Sequence, residues 1–208
     1  MGKKEIAKDY NSTAGIYDMR YMEEQLLKIS FILKRVMVHD GETVVDAGCG
    51  TGMLLSHLGN GFHIGIDTSV EMLKEAKKRH SGAEFVLGDV EALPIRGESC
   101  DKVFCVSVLQ LVEDPQKGLD EIMRVLKRGS AFGISLLNKA SFAKGIGGRI
   151  RGAEAQVYES ESMRDVFVMG YKNSYAPWGA GENSNFRQLF IIKDAVIKMV
   201  FILCRVSQ

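Results

Sequence analysis

A glycine-rich turn constrains this chain more than any other segment of its sequence. Residues 44–52 read VVDAGCGTG, so that Gly48, Gly50 and Gly52 come directly after a β-branched run. Glycine adopts positive φ at little cost, and its missing side chain lets a ligand touch the backbone. Three glycines in five residues are more than a tight turn alone requires. The segment therefore predicts a ligand site where a first strand gives way to a first helix.

Strand and helix patterns alternate from residue 43 to residue 138. Short apolar runs predict buried strands at 44–47, 62–66, 84–87, 103–108 and 131–137. A first helix is predicted at 53–58. A second begins with a capping box formed by Thr68 and Glu71. A third begins at Asp114-Pro115 and ends at Gly129. Such alternation is typical of an α/β fold with a doubly wound, mostly parallel sheet covered on both faces.

The remainder of the chain is less regular in its pattern. A short helix is predicted near 162–168 and an antiparallel last strand at 199–206. With 208 residues, of which 46% are hydrophobic, the chain suits a single domain. We expect an N-terminal helical segment at 1–30, a core at 40–138, and an insert with the last strands at 139–208.

Composition argues against several classes of protein. The net charge of +1 gives no overall field that would mark a nucleic-acid or membrane-surface protein. The four cysteines lack CxxC spacing, which indicates reduced thiols in a cytoplasmic protein and no metal site. The first residues lack the apolar core of a signal peptide. Charged residues interrupt the apolar run at 186–206 too often for a membrane span.

Acidic residues at three predicted strand ends indicate the kind of ligand. The dinucleotide fingerprint requires glycine at position 53, where this chain has Met53. Asp46, two residues before the first glycine, suits a cationic ligand better than a pyrophosphate. Asp67 ends the second strand, where an acid can accept both hydroxyls of a ribose. Gly88 and Asp89 end the third strand, where an adenine edge can be read. An adenosine that carries a positive centre and no phosphate fits these positions, and S-adenosylmethionine is such a molecule.

The chain resembles the class I S-adenosylmethionine-dependent methyltransferases, in the broad group (methyltransferase type 11) that includes the menaquinone- and ubiquinone-type enzymes. The resemblance rests on VVDAGCGTG (44–52), GIDTS (65–69), GDVEALP (88–94), FCVSVLQLVED (104–114) and RVLKRGS (124–130). It implies a Rossmann-like fold, S-adenosyl-L-methionine as the cofactor and S-adenosyl-L-homocysteine as its product. It also implies that Asp67 holds the ribose, that Asp89 and Val90 lie at the adenine, and that Ser107 lies beside the transferred methyl group.

The cofactor-binding residues predicted from these motifs and their neighbours are Tyr17, Asp46, Gly48, Cys49, Gly50, Gly52, Asp67, Thr68, Met72, Gly88, Asp89, Val90 and Ser107. Tyr17 enters this set because YNSTAGIYD (10–18) is similar to the family segment that folds over the cofactor. The resemblance implies that Tyr10 and Tyr17 close the site. An ordinary amphipathic helix with two tyrosines on its face is the alternative.

The acceptor of the methyl group is less well determined by the sequence. Methyl transfer depends on alignment and exclusion of water, and it needs a base only if the acceptor must lose a proton. No catalytic residue is predicted, because all four histidines lie in the first half of the chain. Residues 139–197 are expected to build the acceptor side. Its aromatic residues either line the acceptor or pack the C-terminal part; they are Tyr158, Tyr171, Tyr175 and Trp178.

A basic run at 138–152 carries Lys139, Lys144, Arg149 and Arg151 and no acid. It indicates either an anionic acceptor or a solvated loop. The leading prediction is an active methyltransferase that acts on a small molecule, as a monomer or a homodimer. The alternatives are a non-catalytic S-adenosylmethionine-binding or partner subunit with the same fold, and an RNA methyltransferase. A nucleic-acid acceptor is not favoured.

Overall fold

The computed structural model of the protein describes residues 3–174 and 189–192. Three α-helices occur in these residues: α1 (Lys3–Leu33), α2 (Val70–Arg79) and α3 (Pro115–Val125). The strands are β1 (Thr43–Ala47), β2 (Phe62–Asp67), β3 (Glu84–Leu87), β4 (Cys100–Val106), β5 (Leu126–Leu137), β6 (Ala153–Ser160), β7 (Asp165–Lys172) and β8 (Leu189–Ile192). Short 3₁₀ turns lie at Leu55–His57, Ser141–Ala143 and Ile146–Arg149.

These strands form one sheet with the order β3-β2-β1-β4-β5-β7-β6-β8. Strands β3, β2, β1, β4 and β5 are parallel, while β7 runs antiparallel to both β5 and β6. The chain winds outward from β1 to β3 and then returns to place β4 on the other side of β1. In doubly wound sheets ligands bind outside the carboxyl ends of the strands at such a reversal, which here lies between β1 and β4.

Apolar residues cover both faces of the sheet, as expected for a parallel sheet that is packed on both sides. Adjacent strand residues alternate between the faces, so Val44 packs on the side of α1 and Val45 on the side of α3. The second half of α1 buries Ile29 and Ile32 on one face. The apolar stripe of α3 covers the other, with Leu119, Ile122 and Met123. The predicted α/β architecture with a mostly parallel sheet is confirmed, and β7 is the strand that runs antiparallel to its neighbours.

Two predicted helix ends differ from the structure. Residues 53–58 form turns and a single 3₁₀ turn rather than an α-helix. Helix α2 is capped by Ser69, whose hydroxyl accepts a hydrogen bond from the N–H of Met72 at 3.1 Å, so Thr68 is not the cap. The predicted cap Asp114 does accept from two N–H groups at the start of α3. That helix ends at Val125 rather than at Gly129, because pairing with β4 begins at Leu126.

The C-terminal part contains more strand than the sequence predicts. Residues 165–172 form β7, which lies between β5 and β6, and the helix predicted near 162–168 is therefore wrong. Strand β6 was not predicted, because three of its eight residues are exposed and only one is fully buried, so its apolar pattern is weak. The strand predicted at 199–206 lies outside the described residues. In the part of the chain that the structure describes, no helix is long and apolar enough to cross a membrane.

Candidate functional site

The glycine-rich turn lies at the carboxyl end of β1, and two of its glycines have different functions. Gly48 has a φ of +84°, and a Cβ atom there would lie 2.2 Å from Val108 Cγ2. Gly50 has a φ of +51°, but a Cβ atom there would meet no atom within 4 Å. Gly48 therefore permits close packing with the end of β4. Gly50 instead presents bare backbone to open space, which is the condition for direct contact with a ligand.

Asp67, at the end of β2, fixes this turn. One carboxylate oxygen accepts a hydrogen bond from the N–H of Gly50 at 2.9 Å, and the other accepts from the N–H of Ser69 at 2.8 Å. Burial raises the pKa of Asp67, and its backbone hydrogen bonds act in the opposite direction. Each oxygen of an ionised carboxylate keeps a further lone pair after one hydrogen bond. Asp67 can therefore accept two hydroxyl groups without releasing the turn.

Asp46 is a second carboxylate behind the same turn. Its side chain is almost fully buried, with 3% of its surface exposed. Burial, with a smaller effect from the charge of Asp67, raises the pKa of Asp46 to about 7. A buried carboxylate that titrates near neutral pH favours a cation in its neighbourhood, because a cation restores the ionised form.

A cleft opens between the ends of β1, β2, β3 and β4, and we call it the glycine cleft. It is lined by Tyr10, Tyr17, Gly48, Gly50, Asp67, Thr68, Gly88, Asp89, Val90, Val106, Ser107, Val108, Leu111 and Val112. Two of these described residues are acidic and none is basic. A pyrophosphate would find no cation here, whereas a nucleoside with a positive centre fits both the charges and the bare backbone.

Most of the predicted cofactor-binding residues come together in this cleft. Nine line it: Tyr17, Gly48, Gly50, Asp67, Thr68, Gly88, Asp89, Val90 and Ser107. Asp46 and Cys49 line a small recess behind the turn, next to Gly48 and Gly50. Gly52 and Met72 line neither space. A Cβ atom at Gly52 would lie 3.0 Å from Ala76 Cβ, so this glycine serves the packing of α2, and Met72 is fully buried.

The N-terminal half of α1 lies over the glycine cleft. Tyr10 and Tyr17 pack with their ring centroids 6.0 Å apart, and Tyr17 and Tyr21 with theirs 5.0 Å apart. Burial raises the pKa of both Tyr10 and Tyr17, which keeps their hydroxyl groups neutral. These rings give the cleft an aromatic wall.

Polar contacts attach this half of α1 to the loops below it. Asn11 accepts from the Ser69 hydroxyl at 2.6 Å. Asp18 accepts from the Thr51 hydroxyl at 2.7 Å and also pairs with Arg79. The helix is thus tied to the turn after β1 and to both ends of α2.

A second and larger cleft of about 550 Å³ adjoins the first, and we call it the lysine cleft. It is lined by Asp9, Tyr10, Thr13, Tyr17, Arg20, Tyr21, Glu24, Gln25, Lys28, Ser107, Gln110, Leu111, Leu137, Asn138, Lys139, Met163 and Arg164. The two clefts share Tyr10, Tyr17, Ser107 and Leu111. They therefore meet at the end of β4, beneath α1.

Three cations lie at the rim of the lysine cleft, one from each of three segments. They are Arg20 of α1, Lys139 after β5 and Arg164 before β7. All three side chains belong to exposed residues, and none forms an ion pair with another residue in the described ranges. Their charges are available to a ligand.

A buried lysine lies in the wall of the lysine cleft. Lys28 Nζ lies 2.7 Å from Glu24 Oε1 and 3.0 Å from Asp165 Oδ1, and it donates to Ser107 Oγ at 3.1 Å. The exposed fractions of the Lys28 and Asp165 side chains are 1% and 0%, while that of Glu24 is 43%. Burial raises the pKa of Asp165, and the ammonium of Lys28 opposes that rise.

Only a few residues of the predicted acceptor side, 139–197, line the lysine cleft. Of the described residues in 139–197, those at the cleft are Lys139, Met163 and Arg164. Tyr158 packs against Phe31 with a centroid distance of 5.8 Å, and Tyr171 is 58% exposed, so neither lines the cleft. Tyr175 and Trp178 lie outside the described residues. The aromatic wall comes instead from Tyr10, Tyr17 and Tyr21 of α1.

The basic run at 138–152 also lies mainly elsewhere. Lys139 reaches the lysine cleft, but Lys144, Arg149 and Arg151 do not line it. The guanidinium of Arg149 lies 4.8 Å from the ring centroid of Phe142. Of the four basic residues of the run, only Lys139 therefore supports the predicted anionic acceptor.

Lys28 and Asp165 are functional candidates that the sequence prediction missed. A signal was present for the lysine, since QLLKISFIL (25–33) places one charge inside an apolar run. A charged side chain on the buried face of a helix requires a partner. The sequence does not identify that partner, Asp165, which lies far along the chain at the start of β7.

The described histidines and cysteines do not contribute to either cleft. His39, His57, His63 and His80 line neither one. Burial raises the pKa of the Cys105 thiol, which sits within β4 and is fully covered. In the described ranges, no group of three or more His, Cys, Asp or Glu side chains could hold a metal ion.

Comparisons with known proteins agree with this geometry. Residues 45–134 match the family model described as a methyltransferase domain. A malonyl-[acyl-carrier protein] O-methyltransferase of Pectobacterium atrosepticum is 29% identical over 144 residues, which cover 68% of this chain and 56% of that protein. A protein of the same name from Marinomonas sp. is 30% identical over 146 residues, covering 67% of this chain and 54% of that protein. The chain spans about half the length of these curated relatives.

A solved structure shows the same fold over more of the chain. The TehB-like SAM-dependent methyltransferase of Corynebacterium glutamicum superposes with a TM-score of 0.63 at 20% identity, covering 78% of this chain and 99% of that one. The resemblance indicated by the sequence is thereby confirmed: residues 45–134 are a methyltransferase domain, and the fold is that of the class I S-adenosylmethionine-dependent methyltransferases.

Proposed function

We propose that the protein transfers a methyl group from S-adenosylmethionine to a small anionic acceptor. The observation that carries this proposal is the meeting of two clefts of opposite character at Ser107. The glycine cleft contains carboxylates without a cation among its described residues. The lysine cleft carries four cations against the two carboxylates of Asp9 and Glu24, and three of the cations, at its rim, form no ion pair with any described residue. A positively charged methyl donor suits the first cleft, and an anionic acceptor suits the second.

The residues of the glycine cleft match the parts of this cofactor. In the proposal Asp67 holds the ribose, and Asp89 with Val90 borders the adenine. The bare backbone at Gly50 and the buried carboxylate of Asp46 face the methionine end. When bound, S-adenosylmethionine supplies a methyl group on a positively charged sulfur, so that the protein's own task is alignment and exclusion of water.

Helix α1 is proposed to close the site. Tyr10 and Tyr17 line both clefts. In the proposal they exclude water from the place where the clefts meet. Within this proposal, residues 1–30 act as the lid, 40–138 as the cofactor-binding core, and 139–208 as the acceptor-side insert with the last strands of a single domain.

The proposed acceptor is a small molecule or acyl group that carries a carboxylate. Arg20, Lys139 and Arg164 supply positive charge at the cleft entrance. Two relatives bear the name malonyl-[acyl-carrier protein] O-methyltransferase, and a malonyl group ends in a carboxylate. A carboxylate has a nucleophilic oxygen without losing a proton, so its methylation requires no general base.

Calorimetric titration tests the proposal directly. We expect the protein to bind S-adenosylmethionine and S-adenosylhomocysteine but not NAD. Asp67→Ala removes charge-assisted hydrogen bonds to the ribose worth about 1.5–3 kcal/mol, so affinity should fall by a factor of about 10 to 150. Asp120→Ala, on the exposed face of α3, is the matched control. Equal affinity in both variants would contradict the role of Asp67.

Transfer itself requires a separate measurement. We expect methylation of malonyl coenzyme A, followed by mass spectrometry, and none of acetyl coenzyme A. Tight cofactor binding without transfer to any carboxylate, hydroxyl or amine in a pooled metabolite extract would favour the non-catalytic alternative.

A further inference from the structure

Ser107 lies where the two clefts meet, and its position is fixed by the backbone around it. Its N–H donates to the carbonyl of Ser135 at 2.9 Å, and its own carbonyl accepts from Gln110 Nε2 at 2.8 Å. Its φ is +60°, which is uncommon for a residue other than glycine. The end of β4 therefore holds this side chain in one place between the two clefts.

The Lys28 ammonium determines how the Ser107 hydroxyl can be used. An ammonium has three hydrogens and no lone pair, so it can only donate. Its three polar neighbours are Glu24, Asp165 and Ser107, and Ser107 Oγ must therefore accept from it. Within the described ranges, no residue accepts the hydroxyl's own hydrogen. That hydrogen is left for a ligand in the clefts.

The ammonium itself is not available to the ligand. Lys28 is almost wholly covered, and its carboxylate neighbours on α1 and β7 hold it in place. Its influence reaches the cleft through Ser107. An adjacent positive charge polarises the hydroxyl, which becomes a better donor and a poorer acceptor.

A serine hydroxyl that donates a hydrogen bond discriminates between the substrate atoms that could receive the methyl group. The lone pair of an amine nitrogen cannot accept a hydrogen bond and attack a methyl group at the same time. A carboxylate oxygen has more than one lone pair, so one can accept from Ser107 while another remains free. The arrangement therefore favours oxygen over nitrogen as the atom that is methylated.

We propose, resting on the function proposed above, that Ser107 and Lys28 are the positioning residues of the acceptor. The Ser107 hydroxyl, oriented by the Lys28 ammonium, donates a hydrogen bond to one oxygen of a carboxylate and holds it at the junction of the clefts. Arg20, Lys139 and Arg164 attract the anion to the entrance, whereas Ser107 fixes the atom that reacts.

The test compares two probes that differ in one carboxylate. Binding of malonyl coenzyme A and of acetyl coenzyme A is measured by calorimetry with S-adenosylhomocysteine present. We expect the wild type to prefer the malonyl probe. Ser107→Ala should reduce that preference by about tenfold or more, because a hydrogen bond to a charged group is lost. Ser81→Ala, in an exposed turn after α2, should retain it.

A second variant separates positioning from folding. Lys28→Met/Asp165→Asn removes both buried charges together, so that neither is left without a partner. We expect it to fold and bind S-adenosylmethionine but to lose the preference for malonyl coenzyme A. A preference that is retained in Ser107→Ala, or absent in the wild type, would overturn the positioning proposal. A wild type that fails to bind S-adenosylmethionine would instead overturn the proposed function.

Discussion

The glycine cleft and the lysine cleft are neighbours at one sheet edge, yet they are built in opposite ways. The glycine cleft consists largely of turns at strand ends, and its charged side chains are the carboxylates of Asp67 and Asp89. The lysine cleft forms between α1, the end of β4 and the turn before β7, and it carries cationic side chains. The first cleft thus presents negative charge, whereas in the second four cations outnumber the carboxylates of Asp9 and Glu24.

The two clefts also depend on different contacts. The glycine turn is held by hydrogen bonds between adjacent strand ends, as between Gly48 and Ile66. The lysine cleft depends on a buried ion pair between α1 and β7, Lys28 with Asp165. We therefore expect substitutions in the two regions to differ in kind: those in the first affect the cofactor, and those in the second affect folding and the acceptor.

The largest effect is expected from Lys28→Met. It leaves the carboxylate of Asp165 buried without its ion-pair partner, which typically costs about 3–5 kcal/mol. Chemical denaturation should show this loss in the free energy of unfolding. Glu24→Gln, which changes the exposed partner of the same lysine, should cost less than about 1 kcal/mol. Equal losses in the free energy of unfolding would mean that the burial of Asp165 does not make its pairing with Lys28 more important than that of Glu24.

Gly48→Ala should show how far the glycine cleft depends on backbone shape. A side chain at positive φ costs about 1–2 kcal/mol, and overlap with Val108 adds about 1–3 kcal/mol. Gly145→Ala is the matched control, since Gly145 has a φ of +68° but open space around its Cβ position. We expect the control to lose only the stability that a side chain at positive φ costs, and to bind S-adenosylmethionine normally. Similar cofactor affinities in both variants would mean that the Gly48 turn does not shape the site.

The pH dependence of cofactor binding should report Asp46. Its pKa is raised to about 7 by burial and by Asp67, and a bound cation favours its ionised form. Affinity for cationic S-adenosylmethionine should therefore rise about tenfold between about pH 6 and pH 8, following the ionised fraction. Affinity for S-adenosylhomocysteine, whose sulfur is neutral, should change much less. Asp46→Asn should abolish the difference; an unchanged difference would place the cation away from Asp46.

The same titration has a consequence for the stability of the ligand-free protein. Because the folded-state pKa of Asp46 lies above that of an unfolded aspartate, its contribution is favourable at low pH and is lost as pH rises towards 7. We expect Asp46→Asn to stabilise the ligand-free protein clearly more at pH 8 than at pH 5, because the loss accumulates from the unfolded pKa up to about pH 7. Thermal unfolding at the two pH values measures this.

The smallest effect is expected at the rim of the lysine cleft. Arg20→Ala/Lys139→Ala/Arg164→Ala should raise the Michaelis constant for malonyl coenzyme A several-fold and flatten its dependence on salt, because exposed charges are screened. Cofactor affinity should respond little. Lys144→Ala/Arg151→Ala, in the same basic run but away from the cleft, is the control. A salt dependence that persists in the triple variant would place acceptor recognition elsewhere.

The sequence predicted the glycine cleft because its residues lie in short motifs at strand ends. Each of Gly48, Asp67 and Asp89 lies at or just after the end of a strand that could be recognised locally, and parallel strands bring their ends together. Errors in this region were small and local. Ser69 rather than Thr68 caps α2, and Gly52 supports helix packing instead of lining the cleft.

The lysine cleft could not be predicted in the same way, because its parts are far apart in the chain. Residues 165–172 alternate between the two faces of the sheet, and both faces are covered at most of them, so their pattern resembles a helix as much as a strand. The pairing of Lys28 with Asp165 follows only once β7 is known to lie beside β5.

Helix α1 connects the two clefts physically. Tyr10 and Tyr17 form a wall of both clefts, and the same helix carries Lys28 below them. Movement of its first half, which would admit or release the cofactor, also removes the wall of the acceptor cleft. Whichever ligand orders this wall first raises the affinity of the other, and the reverse holds by the same factor. Binding at the two clefts should therefore be coupled rather than independent, because both ligands depend on the same wall.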